Sequence, residues 1–273
     1  MDAFDLDAWV DRSAKLDLGG IAWDAVALRP VAPGIVRALR YMQDVESHTI
    51  VYLRTLLATR AVDDPEIAAF LACWLYEETF HGRALARFLD AAGAPVGPRP
   101  TPRSGRSLGE RIEAAAVAAL ARAWPDFVAV HMTWGAINEL TTLTGYDRLR
   151  TVCGHPVLAE LLARIMRDES RHFSFYFRQA ARRLARPLAA RVTRAIVDRH
   201  WAPVGSGVQP AAETRFLAGY LFAGPDGRAA ARRVDETIRR LPGFGDVRLL
   251  ERWIDRHGGA AAGVGMMPAM AGG

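Results

Sequence analysis

Four stretches of this sequence have helical periodicity, and each places a glutamate in the middle of an apolar stripe. In the first stretch, for example, Glu46 lies two helical turns from both Leu39 and Leu53. An isolated carboxylate in an apolar core costs several kcal/mol, so four such acids need partners that neutralise them. The stretches and their glutamates are 35–59 with Glu46, 65–92 with Glu78, 125–150 with Glu139, and 155–184 with Glu169.

Two of the four stretches also carry a histidine three residues after the glutamate. Residues three apart share one face of a helix, so each Glu-x-x-His can present an oxygen and a nitrogen to the same point. Four carboxylates and two neutral imidazoles balance two divalent cations, and this ligand set suits iron or manganese. The same set is described for di-iron helical bundles. We therefore predict the metal ligands Glu46, Glu78, His81, Glu139, Glu169 and His172.

The chain is predicted to be all-α, because no segment of any length alternates apolar and polar residues as a half-buried strand would. Asp64 and Pro65 mark the start of the second main helix. A Pro-, Gly- and Arg-rich connector, 93–106, predicts the long crossover of a ferritin-like four-helix bundle. After it, Ser107 and Glu110 form a capping box for a short helix that ends near residue 123.

Further amphipathic helices are expected after the four main ones, over 188–200, 211–222, 226–240 and 246–257. We therefore predict one ferritin-like domain over 1–257. Its bundle core spans about 35–184, and a C-terminal helical extension covers about 187–257. The Gly-, Ala- and Met-rich tail, 258–273, is expected to be disordered.

Composition narrows the classes of partner and cofactor. The two cysteines, Cys73 and Cys153, form no CxxC pair, so a metal would be held by oxygen and nitrogen. The acidic N-terminus is unlike a secretory signal, and no apolar run reaches membrane-spanning length, so a cytoplasmic protein without a membrane partner is expected. The net charge of +5 suits either an acidic partner or an evenly basic, solvated surface. No nucleic-acid-binding motif is present, and no nucleic-acid partner is expected.

Three motifs resemble those of the soluble acyl-acyl carrier protein desaturases. The segment 74–82, WLYEETFHG, is similar to the family's first iron motif, W-x-x-E-E-N-R-H-G, with Thr79 and Phe80 in place of Asn and Arg. GHPVLA at 154–159 and DESRH at 168–172 resemble the family's G-D-P-V-L-A and D-E-K-R-H, at matching separation. Thr142 stands three residues after Glu139, where the family also has a threonine. The resemblance covers about half of the chain.

The resemblance implies a role for each residue of the centre. Glu78 and Glu169 would bridge two irons, Glu46 and His81 would complete one iron, and Glu139 and His172 the other. Thr142 would deliver or orient protons at the bound oxygen; a hydroxyl bonded to its own helix backbone is the alternative. Asp168 would orient an iron-binding histidine, with a solvated acid as the alternative.

The resemblance also implies a reaction and its partners. The chain would activate dioxygen and desaturate an acyl chain tethered to acyl carrier protein or another carrier. No nucleotide-binding fingerprint is present, so electrons would come from a ferredoxin or a similar external donor. The family further implies a homodimer. The cofactor would be two iron ions, with manganese possible at one or both sites.

Two other functions remain open from the sequence. One is a di-iron oxygenase that hydroxylates carbon or oxidises an amine. Arylamine N-oxygenases of this fold carry an extra histidine one turn before the second Glu-x-x-His, where this chain has Ile165. The other is a ferritin-like iron-binding protein without substrate chemistry. The desaturase-like motifs and the C-terminal extension argue against this function.

Overall fold

The computed structural model describes residues 5–97, 119–206 and 209–257, and the helices of these ranges confirm the all-α prediction. Only one isolated β-bridge, between Ser206 and Gln209, interrupts this pattern within the described residues. The α-helices are α1 (Leu6–Arg12), α2 (Pro33–Ser47), α3 (Thr49–Leu57), α4 (Pro65–Ala91), α5 (Val128–Cys153), α6 (Pro156–Leu184), α7 (Pro187–His200), α8 (Ala211–Phe222), α9 (Gly224–Ile238) and α10 (Leu250–His257).

The long helices begin and end at residues whose chemistry suits those positions. The Asp64 side chain caps α4 by accepting hydrogen bonds from the backbone N–H groups of Glu66 and Ile67, and Pro65 follows at the first position. Helix α5 ends at Gly154, whose φ of 60° lies in the left-handed region that favours glycine. Pro156 then starts α6. These boundaries agree with those predicted from the sequence to within a few residues.

The first predicted helix, 35–59, is wrong in one respect, because the structure divides it at His48 into α2 and α3. His48 has φ and ψ of −99° and 5°, and its Nδ1 lies 2.7 Å from the backbone oxygen of Asp44. The α3 segment therefore starts as a separate helix three residues after Glu46. Helix α1, which the sequence did not predict, packs against α4.

The helices that carry the predicted ligands pack as two pairs. Helix α5 lies along α6, α2 lies along α4, and α4 also contacts α6. Helices α7, α8 and α9 cover α5, and α8 also contacts α2. Buried residues from Trp9 in α1 to Ile254 in α10 belong to one hydrophobic cluster, so the C-terminal helices share the core of the four long ones.

Several predictions fall outside the residues that the structure describes. The connector 93–106 is described only as far as residue 97, and the capping box of Ser107 and Glu110 lies in the gap before residue 119. The tail 258–273 is also outside the described ranges, so the division of the chain into 1–257 and a tail stays a prediction. None of the helices in the described ranges is both long enough and apolar enough to cross a bilayer.

Candidate metal centre

The six predicted ligands meet in the space between α2, α4, α5 and α6, and all of them are buried. They form two groups in which the ligand atoms lie within 4.8 Å of one another. Glu78 and Glu169 belong to both groups, as expected of carboxylates shared by two ions. The first group is Glu46, Glu78, His81 and Glu169, and the second is Glu78, Glu139, Glu169 and His172.

Both imidazoles turn Nδ1 toward the carboxylates. His81 Nδ1 lies 3.2 Å from Glu169 Oε1 and 4.0 Å from Glu78 Oε1. His172 Nδ1 lies 3.1 Å from Glu78 Oε1 and 3.8 Å from Glu139 Oε2. Each histidine therefore faces carboxylates from the other helices as well as the glutamate of its own Glu-x-x-His.

The atoms that face one another have no hydrogen-bond partner among the described residues. They are Oε2 of Glu46, Oε1 of Glu78, both carboxylate oxygens of Glu169, and Nδ1 of His81 and His172. A buried polar atom without a partner costs about 1–3 kcal/mol, and such atoms are rare in native proteins. Six of them in one place, all oxygen or nitrogen atoms of three glutamates and two histidines, fit two divalent cations. These clusters can hold metal ions.

The other ring nitrogen of each imidazole, Nε2, contacts a further acid. Both contacts run between α4 and α6. His81 Nε2 lies 3.1 Å from Asp168 Oδ2, and His172 Nε2 lies 2.6 Å from Glu77 Oε2. The acid that precedes the glutamate of one motif thus holds the histidine of the other motif. A carboxylate in this position fixes the ring orientation and strengthens the imidazole as a ligand.

Asp168, a candidate from the sequence, contacts His81, whereas Glu77 was not predicted. Glu77 could have been predicted from a pattern in the sequence, because an acid immediately precedes the glutamate of each Glu-x-x-His. Glu77 precedes Glu78, and Asp168 precedes Glu169. Arg171 donates from one nitrogen to both acids, at 2.8 Å to Glu77 and 2.7 Å to Asp168.

Without a metal, protons balance the charge of the cluster. Burial and the neighbouring Glu78 carboxylate raise the pKa of Glu46 well above its usual range, and burial and Glu169 do the same for Glu139. Burial opposes a charge on His81, but the neighbouring carboxylates of Asp168 and Glu169 prevail and raise its pKa to about 9. The pKa of His172 is also raised, by Glu169 and Glu77 acting against burial. Metal ions must displace these protons.

Two residues beside Glu46 bring α2 close to the centre. A Cβ added to Gly82 would lie 2.8 Å from Ser47 Oγ and 3.3 Å from Glu46 Cβ, so a glycine after His81 lets α4 approach α2 at this point. The hydroxyl of Tyr146, which is fully buried in α5, donates a hydrogen bond to Glu46 Oε1. This contact was not predicted from the sequence.

A cavity of about 540 Å³ opens beside the centre. The four metal-facing carboxylates form one part of its wall, and side chains of α3, α4, α5, α6 and α7 form the rest. Its size is that of small-molecule binding pockets. Thr142 lines it together with Glu139, whereas the adjacent Thr141 and Thr144 donate to backbone oxygens four residues earlier. The proposed proton-handling role of Thr142 stays a prediction.

We expect Asp168→Asn and Glu77→Gln each to weaken metal binding about 10- to 100-fold, because a neutral amide holds the imidazole less firmly than a carboxylate does. Competition with a coloured chelator measures this affinity. Asp147→Asn is the matched control, since Asp147 is a half-exposed acid of α5 that pairs with Arg150. Wild-type affinity in both variants would show that these acids do not orient ligands.

Comparison of the chain with family models, with curated proteins and with solved structures found no match in any of the three. The likeness to the desaturases is therefore one of short motifs and their order along the chain. The side chains of the centre and of its cavity carry the functional proposal.

Proposed function

We propose that this chain is a di-iron oxidase with a ferritin-like four-helix bundle, and that it uses dioxygen to oxidise an organic substrate in the adjacent cavity. The observation that carries the proposal is the pair of overlapping ligand groups, which share Glu78 and Glu169 and adjoin a cavity. A cluster of salt-bridged acids would instead leave few ligand atoms without partners. The two helix pairs and the long connection between α4 and α5 support the bundle assignment.

The protein's own residues would bind and orient the ions. Glu46 and His81 would hold one iron, Glu139 and His172 the other, and Glu78 and Glu169 both. When bound, the irons supply the activation of dioxygen that removal of hydrogen from an unactivated C–H bond requires. The buried position of the centre excludes bulk water from the reacting groups. Thr142, on the cavity wall one turn from Glu139, is positioned to hold or pass a proton.

The reaction that the desaturase-like motifs favour is desaturation of an acyl chain on a carrier protein. One dioxygen, two electrons and two protons would convert a –CH2–CH2– unit into –CH=CH– and release two waters. The electrons would come from a ferredoxin or a similar donor, and the acyl chain from acyl carrier protein or another carrier. A homodimer and a manganese-containing variant of the centre belong to the same proposal.

A second candidate is a di-iron oxygenase, which the polar side chains of the cavity favour. His131, Thr49 and Asn138 line the wall, and a polar substrate suits hydroxylation better than a saturated chain would. Ile165, where arylamine N-oxygenases have a further histidine, is fully buried in the core. The side chain at this position cannot ligate a metal, which favours oxidation at carbon.

The test is a turnover experiment with the iron-loaded chain. The protein is reduced with ferredoxin and its reductase, and then receives dioxygen and acyl-carrier substrates of several chain lengths. Mass spectrometry measures the masses of the products. Loss of two hydrogens supports desaturation, and gain of one oxygen supports the oxygenase. Glu139→Ala, which removes a ligand from one ion only, is the inactive control.

Two results would overturn the proposal. One is a chain that binds no iron pair. The other is a chain that binds iron, consumes no dioxygen with any substrate, and elutes as a cage-sized oligomer on gel filtration, which would indicate a ferritin-like iron-binding protein instead.

A further inference from the structure

The cavity beside the centre extends along one face of α5. His131, Gly135, Asn138, Glu139 and Thr142 all line it, at spacings that put them on the same side of the helix. The rise of an α-helix places His131 about 12 Å from Glu139 along the axis. Thr55 and His200, both exposed, line the cavity as well, so it reaches the surface near α3 and the end of α7. A bound molecule can therefore extend from the surface to the centre.

The wall of this cavity has almost no charge beyond the metal-facing carboxylates. Among the described residues that line it, there is no lysine or arginine, and the only acids are the four glutamates of the centre. Burial lowers the pKa of His131 to about 4, so its imidazole is neutral near pH 7. A carboxylate or ammonium group held between His131 and the centre would have no oppositely charged side chain beside it and would lose its hydration.

Two of the side chains that line the cavity nevertheless carry a polar atom without a partner. Nε2 of His131, on α5, and Nε1 of Trp74, on α4, are both buried and have no hydrogen-bond partner among the described residues. Buried atoms of this kind are normally satisfied by protein, water or ligand. An indole N–H only donates, whereas a neutral imidazole nitrogen either donates or accepts. A pure hydrocarbon chain would satisfy neither atom.

We propose that the cavity takes an uncharged, amphipathic substrate that carries a hydroxyl or carbonyl group beside His131. This inference rests on the proposed function, because it names the class of molecule that the metal centre would oxidise. An acyl chain in thioester linkage meets the charge requirement, since its carboxyl group is no longer ionised, and a free fatty acid does not. The second polar atom, Trp74 Nε1, lies one turn from Glu78 and would donate to an oxygen of the substrate.

Binding of three probes of equal chain length tests the inference. Octan-1-ol, octanoate and octylamine are titrated into the full chain, loaded with ferrous iron under anaerobic conditions, and binding is followed by calorimetry. We expect the alcohol to bind at least about tenfold more tightly than either ion. Equal or tighter binding of octanoate or octylamine would overturn the inference.

Variants of His131 test the contact itself. His131→Leu removes the hydrogen bond at similar volume and is expected to weaken octan-1-ol binding about tenfold, while His131→Gln keeps most of the affinity. His257→Leu, a histidine of α10 that does not line the cavity, is the control. Unchanged affinity in His131→Leu would remove His131 from the proposal. Thermal melting curves establish that each variant is folded.

The two proposals fail in different ways. Iron content is measured before the titration, so a chain without iron refutes the proposed function, and the same probes titrated into the iron-free chain still decide the charge preference of the cavity. A chain that holds two irons but prefers octanoate refutes only the substrate class.

Discussion

Replacing Glu169 by alanine is expected to reduce the metal content of the chain from two ions to less than one. Glu169 contributes to both ligand groups, and both of its oxygens lack hydrogen-bond partners among the described residues. Its loss therefore removes a ligand from each ion. Removal of a group that only orients a ligand weakens metal binding about 10- to 100-fold, so removal of a shared ligand should weaken metal binding by more than that.

The result is read from metal content after desalting and from the rise in melting temperature on adding ferrous iron. A ligand present at 100 times its dissociation constant stabilises the fold by about 2.7 kcal/mol, and Glu169→Ala should gain almost none of this. Glu160→Ala is the matched control, because Glu160 lies on the same helix, pairs with Arg164 and is exposed. It should bind metal as the wild type does.

A contrast with Glu46→Ala makes the prediction specific. Glu46 belongs to only one of the two groups, so this variant should keep one ion in the group of Glu139 and His172. Two ions retained in Glu169→Ala, or an equal loss in the two variants, would contradict the assignment of Glu169 as a shared ligand.

Metal binding is expected to strengthen as the pH rises from about 6 to about 9, with release of protons. Glu46 and Glu139 have raised pKa values, and His81, with a pKa of about 9, is still protonated at pH 7 in the metal-free chain. The ions bind only the deprotonated ligands, so each step toward higher pH removes a competing proton.

The stability of the metal-free chain should change in the opposite direction. Groups with raised pKa values bind more protons in the folded than in the unfolded chain. The fold therefore loses stability as the pH rises from 6.5, the ordinary pKa of a histidine, to about 9, the pKa of His81 in the folded chain. The lowered pKa values of Glu169 and Asp168 matter only in acid, below this window. The increase in melting temperature caused by ferrous iron should therefore be larger at pH 8 than at pH 6.

Calorimetry in buffers of different ionisation enthalpy counts the protons released at each pH. Glu46→Gln should release fewer, because the amide does not titrate, and Asp147→Asn on the surface should release as many as the wild type. Metal affinity that is independent of pH, with no protons released, would show that the cluster is already deprotonated and that the raised pKa values are wrong.

The convergence of the six side chains could be predicted from the sequence, because residues three or four apart lie on the same face of a helix. Glu78 and His81 are three residues apart, so their approach to a common point depends on one helix alone. The contact between His81 and Asp168 depends instead on how α4 packs against α6. The sequence indicated that Asp168 would orient a histidine, but only the packing shows that it is the histidine of the other motif.

The interruption at His48 and the cavity could not be predicted for a related reason. The apolar stripe continues through His48 without a proline or glycine to mark a break, and the separation of α3 from α2 becomes visible only in the packed chain. Thr49 and Tyr52 of α3 line the cavity. The shape of the cavity thus depends on the break at His48, and the periodicity of the sequence does not indicate this break.

The arrangement around Arg171 joins the two halves of the centre. Its guanidinium holds Glu77 and Asp168 together, it lies 5.2 Å from the ring of Trp9, and Ser13 donates to Glu77 at 2.8 Å. Arg171 thus fixes the two acids that orient both imidazoles. Trp9 and Ser13 of the amino-terminal segment contact this arrangement from the outer side. Any event that loosens these contacts, such as proteolysis before residue 14, would therefore disturb both candidate ligand groups simultaneously, although it removes none of their six residues.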